Sequence, residues 1–339
     1  MNVLVTGANG FVGAALCRTL VASGATVFGT VRSERKAQEL PDGVRPVVLE
    51  MDDLTPLDAV PDTFAGIVHL AARVHQMQET AADPLEAFRA VNTRATENLA
   101  RWAAAHGVRR FVFLSSIKVN GEGQDFSVTP HTYTEQDAAA PQDPYGLSKW
   151  EAEQGLRRIA EETGLETVIL RPTLIYGPEV RANFRQLLRL VKTGLPLPLS
   201  RVHNARSLLF LGNLVDAIRV SLSHEQAAGQ TFLVSDGEDL STPDLIRGLA
   251  RALARPARLF PFAPRWLEGI GRLTGKSSAV QRLLGTLRVD SQKIRQTLDW
   301  QPPYSVSEGL DATATAYLEG IAKVSQPARA ASPGVSLRL

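Results

Sequence analysis

One cysteine, Cys17, is all that this chain of 339 residues contains. A lone thiol rules out an internal disulfide and the stapled scaffold of a small secreted domain, and it fits a reducing compartment. Cys17 lies on an apolar helical stretch and reads as a small core residue. A charge excess is also missing: 37 basic residues against 35 acidic ones leave +2. Arg109-Arg110 and Arg157-Arg158 are isolated pairs on solvated ends, so no nucleic-acid partner is expected. No run of about 18 apolar residues occurs, which argues against a membrane span. The chain opens directly in a strand-like run with no basic segment before it, so no signal peptide and a cytoplasmic location are expected. His69, His75 and His203 lack the spacing of metal ligands, and no metal is expected. There is no internal repeat.

What is present is organised around Thr6 to Gly13, TGANGFVG. The apolar run Asn2-Val3-Leu4-Val5 leads in, and residues 11–20 have helical apolar spacing. A strand, a glycine turn and a helix opening form an anion seat, because the first helical N–H groups are unpaired and carry the positive dipole end. Gly7 permits the sharp turn, Gly10 the close approach of a pyrophosphate, and Gly13 close helix–strand packing. The spacing G-x-x-G-x-x-G is one residue longer at its first gap than the common dinucleotide fingerprint. An ordinary strand-to-helix turn remains the competing reading.

Further strands are expected at residues 25–31, 46–49, 66–72, 110–114 and 166–170, alternating with helices. Asp83-Pro84 and Asp143-Pro144 each supply an N-cap followed by proline at the first helical position. The first of these helices is expected to run unbroken to residue 105. Alternation of this kind predicts right-handed crossovers and an α/β doubly wound parallel sheet. After Arg171 the rhythm loosens. We expect a dinucleotide-binding domain over 1–172, a smaller mixed α/β substrate lobe over 173–324 from which some segments return to the sheet, and a disordered tail over 325–339. Helices are expected around 184–191, 213–221, 243–254, 266–273 and 290–298.

Tyr145 and Lys149 sit four apart on the helix that Pro144 opens, hence on one face. A cation beside a phenol favours phenolate and brings a tyrosine into acid–base range. Five tyrosines and seven lysines give chance matches of about a tenth over this length, so the pairing alone is informative but not decisive. Ser115-Ser116 closes the strand at 110–114, where ligands of an open parallel sheet bind. A serine there can hold a carbonyl oxygen, although taken by itself it is better explained as a turn cap.

Together these residues resemble the extended short-chain dehydrogenase/reductases, the branch containing nucleotide-sugar epimerases, dehydratases and reductases. The matching positions are Thr6-Gly7-x-x-Gly10-Phe11-x-Gly13, Asp53-Leu54, His69-Leu70-Ala71-Ala72, Asn92, Ser115-Ser116, Tyr145-Gly146-x-Ser148-Lys149 and Arg171-Pro172-x-x-x-Tyr176-Gly177-Pro178. The resemblance implies a Rossmann fold with Ser116, Tyr145 and Lys149 as the catalytic set. It places Gly7, Gly10, Phe11, Val12, Gly13, Asp53, Leu54, Ala71, Ala72, Asn92, Tyr145, Lys149 and Pro172 around a dinucleotide. Ile117 and Lys118 replace the acidic pair that the 4,6-dehydratases carry after the catalytic hydroxyl, which counts against dehydration. Asn120 stands where tyrosine is usual and Leu174 where asparagine is, with Asn183 as a candidate substitute. Arg206 falls where the branch binds the sugar-nucleotide diphosphate; a solvated loop arginine is the alternative.

Arg32 and Lys36, after the second strand, are placed to clasp a 2′-phosphate, which favours NADP(H) over NAD(H). A solvated basic loop countered by Glu34 competes with that reading. An NADPH-type pocket and the segment 115–122 resemble reductases of UDP-linked 4-keto-6-deoxy-N-acetylhexosamines. The function expected is therefore reduction of the C4 keto group of a UDP-sugar for polysaccharide biosynthesis, with Lys118 as a further substrate contact and a possible homodimer. A UDP-sugar 4-epimerase with bound NAD and a non-catalytic dinucleotide sensor are the alternatives.

Overall fold

The computed structural model describes residues 1–60, 63–74, 83–123, 131–275 and 277–325. His75 and the tail beyond Ser325 lie outside them. The first elements are β1 (Asn2–Thr6), α1 (Phe11–Ala22), β2 (Thr26–Val31), α2 (Glu34–Ala37), β3 (Val44–Val48), α3 (Thr55–Asp58) and β4 (Gly66–His69). Next come α4 (Pro84–Arg89), a π-helical turn (Ala90–Arg94), α5 (Ala95–Ala105) and β5 (Arg110–Leu114). A 3-10 turn (Ile117–Val119) and β6 (Thr132–Tyr133) precede α6 (Pro144–Thr163) and β7 (Glu166–Pro172).

The remaining elements are β8 (Leu174–Tyr176), α7 (Ala182–Thr193), β9 (Arg206–Phe210), α8 (Leu211–Ser223), β10 (Thr231–Val234) and β11 (Asp239–Leu240). After them come α9 (Thr242–Ala252), α10 (Pro264–Leu273), α11 (Ser277–Leu284), β12 (Arg288–Val289), α12 (Gln292–Leu298) and α13 (Val306–Ser325). Seven parallel strands in the order β3-β2-β1-β4-β5-β7-β10 form the main sheet. The order reverses between β1 and β4, and the carboxyl ends beside that reversal form the crevice where such sheets bind ligands.

The strands are apolar on both faces because helices cover both. In β1, Val3 and Val5 enter one core and Leu4 the other; in β5, Val112 joins the first while Phe111 and Phe113 join the second. This is the two-residue alternation of a pleated strand applied to two apolar layers. One layer is built on α1, α8 and α12, the other on α5 and α6. The fold is thus a Rossmann-type α/β doubly wound sheet. The smaller lobe has a mixed sheet, β8 parallel and β11 antiparallel to β9, and a core that includes Tyr176, Phe184, Leu188, Leu208 and Phe210. It is not contiguous in sequence, because β10 takes the edge place beside β7 and α8 and α12 pack on the main sheet.

Two departures from the sequence reading have clear causes. The helix expected unbroken over 83–105 is interrupted by the π-helical turn, at whose centre the Asn92 side chain is fully buried. The expected strand 66–72 stops at His69, where Leu70 and Ala71 turn their N–H groups to the Thr6 hydroxyl. In the glycine turn, Gly7 has φ +66°, and a Cβ on Gly13 would lie 2.1 Å from the Gly7 carbonyl oxygen. We predict that Gly13→Ala lowers stability by about 1–3 kcal/mol, the usual cost of forcing atoms into a packed site. Urea unfolding that leaves the midpoint where it was would refute this account of the turn.

Candidate active site

The catalytic candidates meet at the carboxyl ends of β5 and β7. Ser116 leaves β5 and caps the 3-10 turn, accepting the Lys118 N–H at 3.2 Å. The Asp143 carboxylate starts α6 by accepting the Gly146 N–H at 2.7 Å. A side chain at 146 would meet the Lys118 carbonyl oxygen at 2.8 Å, so glycine there lets α6 close on that turn. Tyr145 is consequently hydrogen-bonded to Ser116. Burial pushes the phenol up to about 12 and Asp143 adds to this, while the Ser116 bond works against both. Lys149 is buried; its ammonium donates to the Leu114 carbonyl at 2.9 Å and lies 4.4 Å from the centre of the Phe113 ring. Burial lowers it to about 7, with Glu153 opposing.

That arrangement differs from the simple expectation of a phenol lowered by its neighbour. Lys149 is turned to the end of β5, so in this state the phenol keeps its proton. Among the described residues, only one of the three ammonium N–H bonds finds a protein acceptor. The Thr173 hydroxyl, one residue past Pro172, is likewise buried without a partner among the described residues. Both point to a polar ligand. The helix α1 has no side-chain cap at Gly10, leaving its first N–H groups for a phosphate. A nicotinamide dinucleotide therefore fits: Gly7, Gly10, Phe11, Val12 and Gly13 for the pyrophosphate, Ala71 and Ala72 along it, and Lys149 for a ribose.

Two buried networks fix this geometry. Thr6 accepts the N–H groups of Leu70 (3.1 Å) and Ala71 (3.0 Å), so its own proton goes to His69 Nδ1 at 2.7 Å. His69 Nε2–H then donates to Thr96 at 3.0 Å, and Thr96 to the Asn92 carbonyl at 2.7 Å. The Asn92 amide donates to the Arg73 carbonyl and to the Ser148 hydroxyl, each at 3.0 Å, and Ser148 to the Tyr145 carbonyl at 2.8 Å. In the second network, Glu153 accepts Ser115 at 2.5 Å and Arg171 at 2.9 and 2.5 Å, and Arg171 also donates to Asn120 at 2.9 Å. Glu153 escaped the sequence reading, although it lies eight residues after Tyr145 and four after Lys149, on the same buried face.

The remaining candidates are more scattered. Lys118 is held by Asp143 (2.5 Å) and Glu122 (2.7 Å), which occupies the charge that was offered to a substrate. The proposed clasp is not assembled: Lys36 pairs with Glu39 at 2.7 Å while Arg32 is exposed at the end of β2. Asp53 turns one oxygen to Thr55 (N–H at 3.0 Å, hydroxyl at 2.7 Å), beside the half-buried Leu54. Asn183 is exposed in the first turn of α7. Arg206 donates to the carbonyls of Arg282 and Gly285, both at 3.1 Å. Its pKa is held below the usual arginine value by burial and then by the Arg282 charge. Two arginines whose charges feel each other, neither in an ion pair among the described residues, suit a diphosphate. Arg282 was not singled out, since nothing in spacing links residues 76 apart.

The fold and this constellation define a class of dinucleotide-dependent enzymes, and residues 3–235 match the model of the NAD dependent epimerase/dehydratase family. The chain belongs to that family. It is 43% identical to a UDP-glucose 4-epimerase of Vibrio cholerae over 94% of this chain and 96% of that protein. A more distant relative, 27% identical over 92% of this chain and 94% of its own length, is the N-acetyl-alpha-D-glucosaminyl-diphospho-ditrans,octacis-undecaprenol 4-epimerase of Escherichia coli O157:H7. Among solved structures, the UDP-glucuronic acid 4-epimerase of Bacillus cereus in complex with NAD has the same fold, with a TM-score of 0.73 at 20% identity over 94% of this chain and 99% of that one.

His69 provides a test of the first network. Burial, with the charge of Lys149, depresses its pKa from 6.5 to about 3. The folded state keeps it neutral while the unfolded chain protonates it below about 6.5, so stability falls as pH drops through that window toward about 3. Between pH 6.5 and pH 5 this one group should remove about 2 kcal/mol of stability. Urea unfolding at both pH values should show a shallower loss in His69→Gln. An equal loss in the two proteins would rule out this titration.

Proposed function

We propose that this enzyme is a 4-epimerase of a hexose carried on a diphosphate, with UDP-glucose and UDP-galactose as the first pair to test. The observation that carries the reading is the assembled Ser116–Tyr145–Lys149 set in a chain 43% identical to a UDP-glucose 4-epimerase along nearly its whole length. The reductase expected from Arg32 and Lys36 loses its main support, because Lys36 is engaged by Glu39. NAD is accordingly the cofactor proposed in place of NADP. The assembled set also favours an enzyme over a non-catalytic sensor.

A nicotinamide dinucleotide held by the glycine turn and Lys149 would supply a reversible hydride acceptor for C4. Tyr145, once it has released its own proton to solvent as positive charge enters the cleft, takes the C4 hydroxyl proton as hydride leaves and returns it afterwards, acting as base and then acid on one oxygen. Ser116 donates to that oxygen and steadies the negative charge as it forms. Lys149 holds the ribose and supplies positive charge near the phenol. Arg206 and Arg282 grip the diphosphate and leave the sugar free to present either face.

The test supplies UDP-glucose and follows UDP-galactose, without added reductant. Interconversion with no net change in nicotinamide absorbance is expected, and cofactor released by denaturing the purified protein should be NAD. Consumption of NADPH with a 4-keto sugar nucleotide, and no interconversion, would restore the reductase. Tyr145→Phe should lower turnover by about two to four decades while cofactor binding persists. Near-normal turnover in that variant would remove Tyr145 from the mechanism.

A further inference from the structure

A sequence with almost no net charge carries one strongly basic segment. Between Arg255 and Arg282 stand six basic residues and a single acid, Glu268, a net of +5, which leaves −3 for the rest of the +2 chain. At its centre is α10, only ten residues long. Trp266, Ile270 and Leu273 are 70%, 50% and 89% exposed. At 100° per residue they fall within about 60° of one another on the helix. Arg265 and Arg272 flank that stripe on one side, while Glu268 lies on the far face. The buried side of α10 is already in use, since Leu267 joins the lobe core and Gly271 packs against Val280 of α11. Phe260, 42% exposed, lies on the segment leading into the helix.

Some arginines elsewhere pair with carboxylates, as Arg89 does with Glu151, Arg101 with Glu162 and Arg219 with Asp216, while others such as Arg185 and Arg189 do not among the described residues. Among the described residues, Arg255, Arg258, Arg265 and Arg272 enter no ion pair. Exposed tryptophan, leucine and isoleucine beside unpaired arginines on a short, strongly amphipathic helix match the chemistry of a lipid–water interface. The apolar stripe enters the acyl boundary, the indole sits at headgroup depth, and the arginines meet lipid phosphates. No helix among the described residues is long and apolar enough to cross a membrane, so the contact lies in the plane of the surface.

We propose that α10 docks this enzyme on an anionic lipid bilayer. The position suits the site as well. A cavity of about 240 Å³ lined by Arg201, Val202, His203, Pro264 and Leu284 lies at the start of α10. Next to it, α11 carries Arg282, whose carbonyl accepts from Arg206. Docking therefore brings the end of the cleft that holds the two arginines close to the membrane.

The experiment sediments the full chain with vesicles of phosphatidylcholine alone and of phosphatidylcholine with phosphatidylglycerol, in low and high salt. Binding needs no substrate, so it is decided independently of the epimerase reading, and UDP-sugar turnover of each variant is followed separately. Wild type should pellet with the anionic vesicles and lose most of that binding in high salt. Replacing Trp266, Ile270 and Leu273 together by serine should weaken partitioning by about tenfold or more. Leu318→Ser, an exposed apolar residue on α13, should not weaken it. Wild type that stays in the supernatant, or a triple variant that pellets equally, overturns the proposal. Light scattering reads the remaining case: a dimer that ignores vesicles and dissociates in the triple variant assigns the stripe to a second copy and also overturns it.

Discussion

The ion pair between Arg171 and Glu153 is the interaction on which the site depends. Both side chains are almost wholly removed from water, at 3% and 0% exposure. Removing two charges from solvent costs several kcal/mol each, and their attraction offsets this only when the remaining hydrogen-bond capacity is met. Here it is met, by Ser115 at the end of β5, by Asn120 in the segment beyond it, and by two parallel bonds between guanidinium and carboxylate. An apolar cluster of equal volume would hold the layers as firmly. It would not dictate where α6 sits along the strands, and that register is what sets Tyr145 against Ser116 and Lys149 under Leu114. We read the pair as a device for position more than for stability.

The network of Thr6, His69 and Asn92 does the same work between the glycine turn and α6. Each donor in the series Thr6, His69, Thr96 is fixed in direction by the bond before it, because Thr6 has spent its acceptor capacity on two backbone N–H groups. A charged imidazole would donate from both nitrogens and meet Thr6 with proton against proton. Neutral His69 is thus a condition of the geometry, and the π-helical turn that buries Asn92 carries the series across to Ser148. A π turn inside a helix costs good hydrogen bonds, which is why such turns concentrate at functional sites. The glycine turn and Tyr145 are consequently parts of one rigid frame.

These particulars also mark how far the sequence could be read. Buried parallel strands announce themselves, since continuous apolar runs such as residues 111–114 are the cost of having helices on both faces. Tyr145 and Lys149 were legible because a helix maps spacing onto a face. Glu153 lay on that same face and could have been found by extending the stripe. Other features depend on partners far along the chain. Arg206 meets Arg282 only through the folded lobe. Lys36 and Glu39, by contrast, pair three residues apart and could have been found from local spacing. The twenty-residue α13 was missed although Val306, Leu310 and Ala314 repeat every four residues, because small and polar residues between them dilute the pattern.

The electrostatics of Tyr145 bear on the choice between epimerase and reductase. A phenol pushed up to about 12 is a poor base near neutrality, so it can take a proton only when positive charge is brought beside it. Lys149, lowered to about 7, holds that charge weakly until a ligand accepts its free N–H groups. Both groups are therefore set by burial to become active together, on filling of the cleft. On the epimerase reading, the proton that Tyr145 removes is the one it returns, and no exchange with bulk water is required in a cycle. A reductase must reload the phenol from solvent after each turnover. Groups tuned by desolvation suit a closed proton cycle, because admitting water to reload them would weaken the desolvation that couples them.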